Sequence, residues 1–236
     1  MRRTITSFPR NAAASVAVLG GVAALILPAS AQAEPVATVF PGSSVLTVTK
    51  LVGNVADGRG CTVGFVGQRA DGTRVGLYAG HCGAQGQQVV VNGRIVGVNT
   101  GSSAPALTKS DTFVVPDAPD WGVFTLDPKL AKAAPGGRVR PTSVGTARPG
   151  DAVCSQGVSS GWRCGSVVSV DGGYIATTIP VQVGDSGGPL IRSSDNAALG
   201  IASRAATFDG PLARSGSLFY DLGSTLRATG TSLVVG

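Results

Sequence analysis

The chain consists largely of short runs rich in valine, isoleucine, threonine and aromatic residues, separated by glycine-containing turns, and this pattern limits the folds open to it. Such runs are typical of β-strands, and Asn92-Gly93 between two valine-rich runs is a strong hairpin signal. Helices do not alternate with strands, so a doubly wound α/β sheet is disfavoured. We therefore predict an all-β fold, either a barrel or a sandwich.

A proline- and glycine-rich stretch near residues 128–145 divides these runs into two groups. Before it, we predict strands at residues 62–67, 74–79, 88–91, 94–98, 112–115 and 122–126. After it, we predict strands at residues 152–156, 165–170, 174–179, 190–192, 199–203 and 218–220. Residues 221–228 are expected to form a short terminal helix, because Leu222 and Leu226 would share one face.

Residues 1–33 have the pattern of an export signal. Arg2, Arg3 and Arg10 give a basic start, and residues 12–27 form an apolar run that is short for a membrane span. Ala31-Gln32-Ala33 is a small-x-small cleavage site, which favours a cleaved signal over the alternative of an anchor helix. We predict a secreted, extracellular protein with no membrane contact after cleavage.

The charge pattern disfavours a nucleic-acid partner. The net charge of +6 becomes +3 when the three arginines of residues 1–33, which contain no acidic residue, are removed. The remaining basic residues are scattered and aromatic residues make up only 5% of the chain, so no basic stripe with stacking aromatics is present.

Export makes disulfide bonds plausible, and four cysteines allow three pairings. The simplest joins Cys61 to Cys82 and Cys154 to Cys164, since each bond then closes a local loop. A zinc site is the alternative, but the chain has no Cys-x-x-Cys and a single histidine. We expect no metal and no cofactor.

Ser186, in Gly184-Asp185-Ser186-Gly187-Gly188, is the candidate nucleophile, and His81 is the one histidine able to act as its base. The segment also fits the Gly-x-Ser-x-Gly pattern of α/β-hydrolases. Those enzymes place serine before the acid and the histidine, whereas His81 precedes Ser186 here. The remaining order is histidine, aspartate, serine, and the alternative for His81 is a structural role.

A buried carboxylate should orient the imidazole. The candidates between His81 and the proline-rich stretch are Asp111, Asp117, Asp120 and Asp127. Asp120 opens Asp120-Trp121-Gly122-Val123-Phe124 directly before an apolar strand, so its flank is shielded from water. The other three lie among polar or proline-rich residues, where a solvated loop charge is expected.

Three segments, Ala79-Gly80-His81-Cys82, Asp120-Trp121-Gly122-Val123 and Gly184 through Leu190, resemble the chymotrypsin-like serine proteases. The chain is most similar to the secreted bacterial branch of streptogrisins and α-lytic protease. Cys154-Ser155-Gln156-Gly157 followed by Gly161-Trp162-Arg163-Cys164-Gly165 resembles that branch's second disulfide loop.

The resemblance covers roughly residues 58–230 and implies two six-stranded antiparallel β-barrels with the active site between them. The first barrel would span residues 58–127 and supply His81 and Asp120, and a linker would span 128–145. The second barrel, at 146–236, would supply Ser186 and the terminal helix. We expect residues 34–57 to be a short N-terminal extension packed on the barrels.

The implied activity is that of a serine endopeptidase, a monomer acting on peptide or protein substrates through an acyl-enzyme. The N–H groups of Gly184 and Ser186 would form the oxyanion hole. By likeness, the substrate pocket has its base near Pro180 and Val181 and one wall at Ser203, Arg204 and Ala205. No acid stands at that base, so we expect cleavage after medium or large apolar residues.

One departure from the family concerns Asp185, the residue before the nucleophile. Bacterial relatives pair it with an arginine just after the first cysteine of the second loop, where this chain has Ser155. The sequence suggests Ser155, Gln156 or Arg163 as its partner. This departure keeps open a non-catalytic relative that uses the fold for binding. An esterase or lipase would share the chemistry but is disfavoured by the residue order.

Overall fold

The computed structural model describes residues 2–4, 36–52, 55–103, 118–134, 136–208 and 214–236. Most of the predicted signal, the predicted strand at 112–115, and the alternative carboxylates Asp111 and Asp117 lie outside these residues. The strands of the first half are β1 (Arg2–Thr4), β2 (Ala37–Val39), β3 (Ser44–Val52), β4 (Val55–Thr62), β5 (Phe65–Arg69), β6 (Arg74–Tyr78), β7 (Gln88–Val91), β8 (Arg94–Ser102), β9 (Gly122–Leu126) and β10 (Ala131–Ala133).

The strands of the second half are β11 (Ala152–Gly157), β12 (Gly161–Asp171), β13 (Tyr174–Thr177), β14 (Pro189–Arg192), β15 (Ala198–Phe208) and β16 (Arg214–Asp221). They close into an antiparallel barrel in the order β11-β12-β13-β16-β15-β14. Apolar side chains fill its interior, among them Val153, Ile175, Leu190, Leu199 and Phe219. The all-β prediction and the six-stranded second barrel are confirmed.

The first half is a nine-stranded sheet in the order β1-β4-β3-β7-β8-β9-β6-β5-β17, where β17 (Thr231–Leu233) comes from the end of the chain. Only Val63 and Gly64 separate β4 from β5, although these strands lie near opposite ends of the sheet. The sheet must therefore curl until its ends approach each other. It holds more strands than the predicted six because β1, β3 and β17, which were not predicted, pair within it.

Several boundaries differ from the sequence predictions. Residues 44–52 and 55–57 do not pack on the barrel as an extension, because they form β3 and the start of β4 within the sheet. The predicted strand at 62–67 is divided between β4 and β5. The stretch at 128–145 contains β10, which pairs in parallel with β2.

A helix, α1 (Leu222–Thr229), follows the second barrel one residue later than predicted. Asp221 caps it, since its carboxylate accepts the Ser224 N–H at 2.6 Å. Gly230 ends it in the left-handed conformation with φ of 61°, and β17 then returns to β5. Within the described residues, none of the helices has the length and apolar character needed to span a membrane.

One apolar core spans the two halves, and the interior of the second barrel forms a second core. The buried cluster around Phe65, Leu77 and Phe124 continues into the second half through Ile191 and Ile201. Because interiors of this kind are close-packed, the halves hold a fixed relative position. This position brings the turn after β6 close to the loop before β14.

Candidate active site

His81 lies in a single 3₁₀ turn, Gly80–Cys82, that follows β6. Its side chain is buried, and a disulfide joins the next residue, Cys82, to Cys61 in β4. The Thr47 hydroxyl donates to the Cys82 carbonyl at 2.5 Å. The backbone beside the imidazole is therefore held by a covalent bond and a hydrogen bond, both from neighbouring strands.

Asp120 precedes β9 and is 0% exposed. Its Oδ1 accepts the His81 backbone N–H at 2.9 Å, and its Oδ2 lies 2.9 Å from His81 Nδ1. A carboxylate accepts hydrogen bonds, so Nδ1 carries the proton and Nε2 of the neutral ring is the free base. The carboxylate thus fixes both the position and the tautomer of the imidazole.

The second half also holds Asp120. The Ser203 hydroxyl of β15 donates to Asp120 Oδ2 at 2.5 Å. The register of β15 against β16 shifts between Ala202 and Arg204, a β-bulge at which Ser203 lies. The Tyr174 hydroxyl donates to the Ala118 carbonyl at 2.6 Å, two residues before Asp120. Ser203 was predicted only at the substrate pocket, and Tyr174 was not predicted at the site.

These contacts decide the ionisation of Asp120. Burial alone would raise the pKa of Asp120, but hydrogen bonds from His81 and Ser203 and the charge of His81 outweigh it and hold the pKa below its ordinary value. Asp120 is therefore an anion at neutral pH, and it can stabilise positive charge that develops on the imidazole.

Ser186 is half-buried in the loop that leads into β14. Its carbonyl accepts the Thr62 N–H at 2.8 Å and lies 3.8 Å from Cys82 Sγ. A Cβ on the next residue, Gly187, would lie 2.3 Å from the Thr62 carbonyl oxygen and 3.0 Å from Tyr78 Cβ. The Ser186 backbone therefore packs directly against the elements that hold His81. Within the described part of the chain, no hydrogen bond joins the Ser186 hydroxyl to the His81 ring.

Within the described residues, the loop at residues 182–186 has three amide groups without an acceptor, those of Val183, Gly184 and Ser186. The N–H groups of Asp185, Gly187 and Gly188 donate to carbonyl oxygens of Gln182, Ala202 and Asp185. Among the described residues, those of Gly184 and Ser186 donate to no acceptor. Gly184 has φ of +103°, a conformation that favours glycine, and its carbonyl accepts the Thr62 hydroxyl at 2.8 Å. Two free donors beside a serine hydroxyl suit a developing oxyanion.

Asp185 has partners other than those the sequence suggested. It is 1% exposed, and its Oδ1 accepts the N–H groups of Ser159 at 2.9 Å and Ser160 at 3.0 Å. Its Oδ2 accepts the Ser160 hydroxyl at 2.5 Å and the Gln182 N–H at 2.8 Å. Ser155, Gln156 and Arg163 make no described hydrogen bond or salt bridge to it, so this suggestion was wrong.

The residues predicted for the substrate pocket occupy different environments. Pro180 and Ala205 are exposed, Val181 is half-buried against the second core, and Ser203 is buried with its hydroxyl on Asp120. The Arg204 guanidinium lies 5.8 Å from the centre of the Tyr174 ring. A separate open cavity of about 200 Å³ is lined by Ser44, Val45, Leu46, Gly60, Cys61, Val158, Ser159 and Gly184.

One group of side chains in the described part of the chain has metal-ligand spacing: Cys61, His81 and Cys82. Metal binding needs thiolates, and both sulfur atoms are joined in the disulfide. The second disulfide joins Cys154 to Cys164 across the β11–β12 pair. The disulfide pairing is therefore the predicted one, in which each bond closes a local loop. Because its sulfur atoms are oxidised, the group of Cys61, His81 and Cys82 is not a metal site.

Known proteins match both the sequence and the fold. No family model matches the chain. The uncharacterized protein Rv1815 of Mycobacterium tuberculosis strain H37Rv is 33% identical over 196 residues, 79% of this chain and 80% of its own length. The uncharacterized protein MT1863 of strain CDC 1551 matches over the same share.

Among solved structures, Thermobifida fusca protease A matches with a TM-score of 0.64 and 24% identity, covering 85% of this chain and 100% of its own. The Nocardiopsis protease matches with a TM-score of 0.61 and 23% identity, covering 84% and 99%. The chain therefore belongs to the same family as Rv1815 and has the fold of the bacterial chymotrypsin-like serine proteases.

Proposed function

We propose that this protein is a secreted serine endopeptidase in which Ser186 is the nucleophile, His81 the general base and Asp120 the residue that orients the base. The observation that carries the proposal is the double contact of the fully buried Asp120 with the backbone N–H and the Nδ1 of His81. A structural histidine needs one partner, whereas this arrangement fixes the ring plane, the tautomer and the direction of Nε2.

In the proposed reaction, Nε2 of His81 takes the hydroxyl proton of Ser186 as its oxygen attacks a peptide carbonyl. Asp120 stabilises the imidazolium that forms. The imidazolium then protonates the leaving amine, and water repeats the sequence on the acyl-enzyme. The contact between Nε2 and the hydroxyl has to shorten in the substrate complex, as is common for catalytic hydrogen bonds in free enzymes.

The negative charge of the tetrahedral intermediate would be received by the N–H groups of Gly184 and Ser186. Both donors come from the backbone of one short loop, and the carbonyls that flank them are bonded to Thr62. The donors are therefore preorganised, which is the condition under which such groups lower a barrier. Removal of one such donor typically reduces kcat about 10²- to 10³-fold.

We propose an apolar preference for the residue before the cleaved bond. Val181, at the predicted base, packs on the second core and carries no charge. Val183, next to Gly184 on the other side of the loop, is 92% exposed and offers a further apolar contact. A peptide library should therefore be cleaved after medium or large apolar residues, and a sharp preference for basic residues would contradict this.

A non-catalytic binding role was the alternative because Asp185 had no evident partner in the sequence. Four hydrogen bonds satisfy that carboxylate, which supports the enzyme over the alternative.

Labelling with a fluorophosphonate probe tests the proposal directly, since such probes react with activated serines. Wild type should be labelled, Ser186→Ala and His81→Ala should not, and Ser232→Ala should be labelled like wild type. Ser232 is a suitable control because its hydroxyl donates to the Gln68 carbonyl on the outer face of the first sheet. A folded wild type that resists the probe would refute the enzyme assignment.

A further inference from the structure

The turn between β11 and β12, at residues 158–160, lies against the loop at residues 182–186 and makes four hydrogen bonds to it. Ser159 and Ser160 each donate a backbone N–H to Asp185 Oδ1, at 2.9 and 3.0 Å. The Ser159 hydroxyl donates to the Val183 carbonyl at 2.7 Å. These bonds join Val183 and Asp185, the residues on each side of Gly184, to the β11–β12 hairpin.

The side chain of Ser160 makes the shortest of these contacts, 2.5 Å from its hydroxyl to Asp185 Oδ2. That oxygen also accepts the Gln182 N–H, so the carboxylate links the hairpin to the start of the loop. Asp185 is almost completely buried, and no salt bridge between described residues includes it. A buried carboxylate without a cation depends on hydrogen bonds, and bonds to a charged group are the strong ones.

The hairpin has room for the carboxylate only because residue 157 is a glycine. A Cβ on Gly157 would lie 2.1 Å from Asp185 Oδ1 and 2.3 Å from Cγ. The carboxylate therefore lies against the hairpin backbone, within reach of two consecutive N–H groups and the Ser160 hydroxyl. This is a built site for an anionic side chain of the chain itself.

We propose that Ser160 is the positioning residue of the oxyanion loop, acting through its hydroxyl bond to Asp185, and that the loop holds its working shape through uncharged donors alone. The consequence for Gly184 and Ser186 follows from their position on each side of Asp185. When Asp185 is fixed, its two flanking N–H groups have fixed directions. When Asp185 turns away, both directions are lost together.

The inference rests on the proposed function for its catalytic consequence, so the experiment has one readout that depends on activity and one that does not. Ser160→Ala removes the hydroxyl, and the isosteric pair Ser160→Thr and Ser160→Val tests the hydroxyl at constant volume. The maximal rate of fluorophosphonate labelling should fall about 10- to 100-fold in Ser160→Ala and Ser160→Val. The probe concentration at half-maximal rate should stay close to that of wild type, and Ser160→Thr should recover most of the rate.

The second readout is hydrogen–deuterium exchange of the amides at residues 182–188, which needs no activity. Exchange should become faster in Ser160→Ala and Ser160→Val while the Asn92-Gly93 hairpin, distant in the first sheet, is unchanged. Wild-type labelling and wild-type exchange in Ser160→Val would overturn the inference. If wild type is not labelled, the proposed function fails, and the exchange result alone then decides the role of Ser160. If Ser160→Ala does not fold, the comparison of Thr with Val at this position decides it.

Discussion

The hydroxyl of Thr62 donates to the carbonyl of Gly184 at 2.8 Å, which joins the end of β4 in the first half to the loop that precedes Ser186 in the second. The same hydroxyl accepts the Val158 N–H at 3.1 Å. The Thr62 backbone N–H donates to the Ser186 carbonyl. One fully buried threonine thus connects the proposed nucleophile, the proposed oxyanion hole and the β11–β12 turn.

Replacement of Thr62 by valine should therefore reduce both stability and activity. The side chain keeps its shape, but the Gly184 carbonyl and the Val158 N–H lose their partner in a buried place. We expect unfolding in urea to show a loss of about 1–3 kcal/mol. Peptide hydrolysis should fall with it, while Thr62→Ser, which keeps the hydroxyl, should remain near wild type in both measurements. Equal activity of the valine and serine variants would contradict the role given to this hydroxyl.

Asp120→Asn should affect catalysis far more than Ser203→Ala. An amide in place of the carboxylate presents a donor to one of the His81 contacts and favours the wrong tautomer, so kcat should fall about 10⁴-fold. Ser203→Ala removes one of three hydrogen bonds to the carboxylate, so we expect a loss of about 1.5–3 kcal/mol in transition-state stabilisation. Steady-state hydrolysis of an apolar peptide substrate measures both. A larger effect from Ser203→Ala would show that orientation of His81 does not depend mainly on Asp120.

The depressed pKa of Asp120 predicts the direction of one pH effect on stability. The unfolded chain binds a proton at this carboxyl near its ordinary value of about 4, whereas the folded chain binds it only at lower pH. The contribution of Asp120 to stability is therefore complete above about pH 4 and is lost as the pH falls towards the lower folded value. Urea unfolding between pH 7 and pH 2.5 should show a steeper acid loss in wild type than in Asp120→Asn. Parallel curves for the two proteins would be evidence against the depressed pKa.

Removal of either disulfide should destabilise the protein to a similar extent, but only removal of Cys61–Cys82 should strongly reduce activity. The bonds close loops with sequence separations of 21 and 10 residues. Chain entropy predicts a loss of about 3 kcal/mol for each when both cysteines are changed to alanine. Only Cys61–Cys82 adjoins His81, so labelling at a temperature where both variants are folded should slow mainly in the Cys61→Ala/Cys82→Ala variant. Equal slowing in both variants would mean that the bond does not position His81.

The strands predicted best are those whose residues favour a strand locally and also pair in the sheet. β7 and β9 begin and end at the predicted residues, since each is an apolar run with turn residues at both ends. β4 was missed because Val55–Thr62 contains Asp57, Gly58 and Gly60, which favour turns. A Cβ on Gly58 would lie 2.0 Å from the Thr47 carbonyl oxygen, so this glycine serves close packing on β3 instead of a turn.

Some residues of the candidate site could also be predicted from the sequence, and others could not. Motif residues His81 and Ser186 stand out in the sequence because their neighbours have a distinctive composition. The Asp185 partners could not be predicted, since three of the four donors are backbone N–H groups that any residue supplies, and two of these belong to a distant hairpin. Ser203 was assigned to the pocket wall by likeness to the family. Its bond to Asp120 was not predicted because the bulge that turns the hydroxyl towards Asp120 has no clear local signature.

β17 follows the second barrel in the chain, yet it pairs with β5 of the first sheet. The sheet that carries His81 is therefore completed only after the second half of the chain has been synthesised. The two halves should accordingly fold as one cooperative unit, without an intermediate in which the first half alone is native.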